Sequence, residues 1–197
     1  MPLFAVVLAR KEPQPTQVLA GEYNLASFSF FQKKGAQEFM TMFACTVIER
    51  TARGMRQSVD ENNTVIHAKV RMDGLGCCVI TDKAYPQRVA FALVEKAFSK
   101  FTETVPQSEW AGARKKVAFS GAKELFEEYQ DPQKADPILK VEKELDETKE
   151  ILHQTMQSLL ERGEKLDDLV AQSEMLSTSS KKFFKAAKKT NTCCALQ

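Results

Sequence analysis

The feature that most constrains this chain is an apolar repeat in its carboxy-terminal part. Stepping alternately by three and four residues from Ile138 gives Ile138, Val141, Leu145, Thr148, Leu152, Thr155, Leu159, Arg162, Leu166, Leu169, Ser173, Leu176, Ser180, Phe183, Ala187 and Thr190. The series runs for more than seven heptads without a proline. The spacing therefore predicts one long helix over residues 138–190 that coils around other helices, because it has no means of burying its stripe alone. Thr148, Thr155, Ser173 and Ser180 make the seam weaker than a leucine zipper, which favours a helix that must find partners over one that self-associates. Arg162 stands where a leucine is expected, between Leu159 and Leu166. A permanent guanidinium in a seam is costly unless acceptors meet it. A homo-oligomer would crowd several guanidiniums into one layer, whereas a hetero-oligomer can surround one with neutral acceptors, so Arg162 reads as a registry device. Gly163 beside it costs the helix about 1 kcal/mol.

The tail carries a second signal. Cys194-Ala195-Leu196-Gln197 matches a prenylation box whose terminal Gln points to farnesyl, and Cys193 is a candidate for palmitoylation. Beyond Glu174 there is no carboxylate side chain, but there are five lysines, Lys181, Lys182, Lys185, Lys188 and Lys189. Each basic residue near an anionic leaflet contributes about 1 kcal/mol, and a single lipid chain holds a protein only marginally, so the expected anchor is conditional. No window approaches the roughly 20 apolar residues of a membrane span, and the amino terminus has no secretory cleavage pattern, so the chain is expected in the cytosol. Five cysteines without even spacing fit a reducing compartment rather than a disulfide framework.

The run Leu159-Leu160-Glu161-Arg162-Gly163-Glu164-Lys165-Leu166-Asp167-Asp168-Leu169, the lysine-rich segment and the cysteine-ended tail together resemble an arginine-type SNARE. More narrowly, the chain is similar to the prenylated type with an amino-terminal longin domain and no transmembrane helix. The resemblance implies a longin domain over residues 1–130, a linker over 131–137, the SNARE motif over 138–190 and a lipidated tail over 191–197. It implies that Arg162 meets glutamines from three Q-SNARE helices and that assembly drives fusion of membranes without covalent chemistry. It also implies a longin half that regulates the helix, and a pool cycling between cytosol and the cytosolic face of Golgi, endosomal, vacuolar and vesicle membranes. The family's tail commonly ends in Met; Gln197 departs from it and bears on the prenyl type. No cofactor beyond the covalent lipids is expected.

The residues before the seam suffice for one compact domain. Leu3 to Ala9 reads as a strand, Ser27 to Gln32 as a second, Lys34 to Arg53 as an amphipathic helix, and Thr64 to Arg71 with Gly76 to Thr81 as a hairpin around Asp73-Gly74. A helix from Gln87 to Thr104, a strand from Lys116 to Phe119 and a helix from Ala122 to Tyr129 follow, before Asp131-Pro132 and Asp136-Pro137 mark the linker. The order is α+β, with a mostly antiparallel sheet flanked by helices; the resemblance narrows this to the profilin-like longin fold with its antiparallel sheet. A net charge of +2 gives no sign of nucleic-acid binding. Cys77-Cys78 has no histidine or acid placed to activate it, and buried cysteine behaves as a small hydrophobe. His67 on a strand's polar face and His153 outside the seam read as solvated and give no metal spacing; Trp110 and Arg114 to Lys116 read as a loop.

A free seam beside a lipid chain leaves much apolar surface in water. The expected soluble form is therefore closed, with the seam folded onto the longin half and the lipid in a groove between them. Phe39, Met42 and Phe43, together with the broad apolar surface of the helix 87–104, offer the complementary face. A rival reading is a longin-type adaptor whose coiled coil tethers or dimerises without driving fusion.

Overall fold

The computed structural model describes residues 2–133, 135, 151–160 and 163–193, with side chains as far as residue 185 in the last segment. Strands β1 (Leu3–Arg10), β2 (Gln17–Tyr23), β3 (Arg56–Glu61), β4 (Thr64–Val70), β5 (Leu75–Asp82) and β6 (Leu152–Thr155) form one sheet in the order β2-β1-β5-β4-β3-β6. Helices α1 (Phe30–Arg50) and α2 (Gln87–Thr104) lie on opposite faces, followed by the short α3 (Gln107–Trp110) and α4 (Gly121–Glu128). Beyond the linker come α5 (Met156–Leu159), α6 (Leu166–Gln172) and α7 (Thr178–Cys193).

The central strands are buried on both sides, which is why β1 is a continuous apolar run. Leu3, Val6 and Leu8 face α2, whereas Ala5, Val7 and Ala9 face α1. The uneven step from Leu3 to Val6 coincides with a register shift between Leu3 and Ala5 against β5. On β5, Cys77 enters the α2-side core and Cys78 the α1-side core. Adjacent in sequence, they point to opposite faces.

Several boundaries differ from the sequence reading. Ser27 to Gln32 is no strand: Ser29 opens α1, its backbone N–H donating to Gln32 Oε1 at 3.2 Å, and the aromatic cluster that suggested β structure sits at a helix start. The second strand is instead Gln17–Tyr23, antiparallel to β1. Lys116 to Phe119 forms no strand either; the Val117 N–H alone reaches the sheet, donating to the Leu19 carbonyl at 2.9 Å. Strand β3 escaped pattern reading because its inward groups are polar. Gln57 Nε2 donates to Thr51 Oγ1 at 2.6 Å, and the Arg56 guanidinium lies 5.5 Å above the Phe91 ring. Trp110 is not in a loop but in the core beneath α2. His67 is 2% exposed rather than solvated, held through Nδ1 by the Ser58 hydroxyl at 2.9 Å.

Two differences concern the architecture itself. The sheet is antiparallel only through its first five strands, because β6 joins β3 in parallel. The described part of the seam is not one helix either: it comprises a strand and three helical pieces. Gly163, at φ +90°, cannot belong to a continuous right-handed helix.

Candidate functional site

Helix α1 has buried residues almost without interruption from Met42 to Ile48, which a helix resting on one sheet does not need. Ala44, Cys45, Val47 and Ile48 belong to the sheet-side core. Met42 belongs to a separate cluster with Val170 and Leu176, against which Phe39, Phe43, Leu169 and Phe184 pack. The Phe39 ring lies 5.5 Å from Phe184 and 6.4 Å from Phe43. The outer face of α1 is thus an apolar platform covered by α6 and α7. At the far end of the sheet the chain is held differently: β6 pairs Gln57 to Asp60 with Leu152 to Thr155, and α5 then drops Met156 and Leu159 into the α1-side core.

Polar contacts fix the docking. Glu38 Oε2 accepts the Ser177 N–H at 2.8 Å just ahead of α7; desolvation, the largest single influence on its pKa, acts to raise it, but the hydrogen bonds from Ser177 and Ser180 together outweigh it and leave the pKa lowered. Arg50 Nη2 meets Glu164 Oε2 at 3.3 Å beside the Gly163 turn. Between α1 and α7 lies a cavity of about 690 Å³ lined by carbon-rich side chains, among them Phe4, Phe28, Phe31, Phe39, Met40, Phe43, Phe183 and Phe184, with Lys34 and Glu61 among its few charged groups. Its volume falls within the roughly 300–1,000 Å³ usual for small-molecule sites.

The fold brings the predicted seam residues together unevenly. Leu159, Leu176 and Ser180 are buried, Leu166, Leu169 and Ser173 half-buried, and Leu152 and Thr155 exposed on β6. Phe183 lines the cavity while remaining 54% exposed. For Ala187, Thr190 and Cys193 only the helical backbone is described, and Ile138, Val141, Leu145, Thr148, Arg162 and Cys194 lie outside the described residues. Phe39, Met42 and Phe43 all meet the docked segment. None of the described seam residues docks on helix α2, whose extra apolar surface is covered by Trp110, Leu125, Tyr129 and Ala135. Sequence reasoning missed Met156, Leu160, Val170 and Phe184. Each is buried or packed here, and each directly follows a seam position; that second stripe was the available signal.

Nothing in this arrangement suits covalent chemistry. Burial pushes the Cys45 thiol up to about 12 and raises Cys77 and Cys78 further, so none supplies a thiolate at neutral pH. Among the described residues no cluster of His, Cys, Asp and Glu could hold a metal, and no helix is long and apolar enough to cross a membrane.

Comparison with known proteins matches residues 25–129 to the longin regulated-SNARE-like domain and residues 137–196 to synaptobrevin. The chain is 45% identical over 196 residues to a synaptobrevin homolog ykt6 of Schizosaccharomyces pombe, with both chains covered completely. It is 43% and 46% identical over 199 residues, again end to end, to synaptobrevin homologs YKT6 of Debaryomyces hansenii and Yarrowia lipolytica. The chain belongs to the longin-domain synaptobrevin family. The longin match begins after β1 and β2, yet both strands are integral to the same sheet. Membership makes the chain a non-enzymatic R-SNARE of vesicle transport, a component of SNARE complexes built through its synaptobrevin segment.

Proposed function

We propose that residues 138–190 zipper with three Q-SNARE helices to drive fusion in ER-Golgi, endosomal and vacuolar transport, and that the longin half holds this segment inactive by docking it. The observation that carries the reading is a conflict of use. Leu159 and Leu176, which would face partner helices in a four-helix bundle, are buried against the longin half instead. The two arrangements exclude each other, so the longin contact acts as an intramolecular competitor of the Q-SNAREs. In the bundle Arg162 is the single charged layer, met by partner glutamines.

Attachment to the cytosolic face of Golgi, endosomal, vacuolar and vesicle membranes would come from a farnesyl group on Cys194 and a palmitoyl group on Cys193, aided by the lysines of α7. The cavity between α1 and α7 suits the prenyl chain in the cytosolic form: it is apolar, and it lies against the helix that leads to the modified cysteines. Mixing the purified full chain with Q-SNARE helices tests the core of the reading, the expected product being an SDS-resistant bundle of one chain with three partners. Mass spectrometry of the carboxyl terminus from cells tests the lipids. Absence of such a bundle with every combination of Q-SNARE helices would leave an adaptor role.

A further inference from the structure

Helix α1 begins with two phenylalanines in water. Phe30 and Phe31 are 83% and 92% exposed, and their rings meet edge-on at a centroid distance of 5.7 Å. Isolated surface hydrophobes are ordinary, but a contiguous pair rimmed by charge marks a surface that something covers. Here the rim is positive. The first turn of α1 contains no acidic residue, and Lys33 and Lys34 follow at once, both exposed. Among the described residues Lys33 makes no ion pair, and Lys34 makes only a 3.9 Å contact with Glu38. Helix α7 approaches α1 closely at Gly35, where an added Cβ would stand 3.3 Å from Ser180 Oγ. It contributes the half-exposed Phe183 and, beside it, the exposed Lys182 and Lys185. Of the nearby carboxylates, Glu38 is turned inward to the Ser177 N–H and Glu61 lies in the cavity wall.

We propose that the start of α1 is a membrane-insertion site, at which Phe30 and Phe31 enter the headgroup–acyl boundary of an anionic bilayer while Lys33 and Lys34 face its phosphates. Aromatic side chains bordered by lysines, with no acid between them, have the composition of an interfacial anchor. This contact belongs to the longin half and does not depend on the covalent lipids, so it would let a single prenyl chain hold the protein where it otherwise holds only marginally.

The test uses the full chain produced in bacteria without lipid, floated with vesicles of phosphatidylcholine alone or mixed with phosphatidylserine. Wild type is expected to float with the mixed vesicles only, less so as salt rises. Phe30→Ser should lower this partitioning about tenfold, with Phe30→Leu restoring most of it; Lys33→Glu should lower it as well. Phe30 does not line the cavity, so Phe30→Ser should bind farnesol as wild type does and keep the same thermal midpoint. Equal flotation of wild type and Phe30→Ser would assign any binding to the lysines of α7 and overturn the proposal. Failure of wild type to float, or equal binding to neutral vesicles, would overturn it too. Loss of farnesol binding by Phe30→Ser with flotation unchanged would make the pair a lid on the cavity instead.

Discussion

His67 shows how a residue that alternation assigns to water can belong to the core. Its strand neighbours Ile66 and Ala68 face α1, and His67 faces the other way, but that side of the sheet is covered by Phe91 of α2, whose ring stands edge-on at 5.4 Å. Burial, with a smaller contribution from His153, lowers the imidazole pKa from 6.5 to about 4. The folded value lies below the unfolded one, so the neutral ring favours the fold. That contribution is complete above pH 6.5 and is lost as pH falls from 6.5 towards 4, by about 3 kcal/mol at most. Urea unfolding at pH 7 and pH 5 should show a fall in stability for wild type that is much reduced in His67→Gln. If the two proteins lose stability equally, another group carries the acid sensitivity.

At the scale of elements the informative stretch is the junction of α5 and α6. Leu159 and Leu166 are seam positions that would lie on one stripe of a continuous helix, yet here they are separated by a turn at Gly163, φ +90°. An L-residue resists that conformation by about 1 to 2 kcal/mol, and alanine favours the helix over glycine by about 1 kcal/mol. A Cβ at this position meets nothing within 4 Å, so sterics add no penalty of their own. Gly163→Ala should therefore shift the chain from the docked form towards the continuous helix by tenfold or more. Amide exchange across Leu166–Gln172 should rise, and assembly with Q-SNARE helices should quicken. Unchanged exchange there would show that the turn is not what holds the helix broken. Gly163 is thus read as the position that permits both forms, left-handed when docked and helical in the bundle.

For the whole molecule the deciding contact is the one between α1 and the segment beyond the linker. Met42 is 2% exposed in a cluster with Val170 and Leu176, separate from the sheet-side core. A carboxylate there would be buried without a partner, a cost of several kcal/mol unless the segment leaves. Met42→Glu is therefore expected to undock it: amide exchange should rise across β6 and α5 to α7 while β1 and β5 remain protected, and the radius of gyration from X-ray scattering should increase. Protection unchanged across α6 and α7 would remove the competition between longin half and Q-SNAREs from the account.

The heptad seam, the arginine within it, the basic cysteine-ended tail and most of the longin elements were legible from residue order, because each depends on spacing along one segment. Met42 was legible for a related reason: it is an apolar residue on α1 that the sheet has no use for. That the seam covers it was expected too; that Val170, one residue past a seam position, joins Leu176 in doing so was not. That the described seam residues dock on α1 rather than α2 follows from Trp110, Leu125, Tyr129 and Ala135, which come from later in the chain and fill the α2 side. That Leu152 to Thr155 forms a strand was decided by the open edge of β3, whose unpaired backbone groups accept any extended neighbour regardless of its heptad pattern. A seam specifies that a surface must be buried; only the surfaces the fold leaves uncovered determine where.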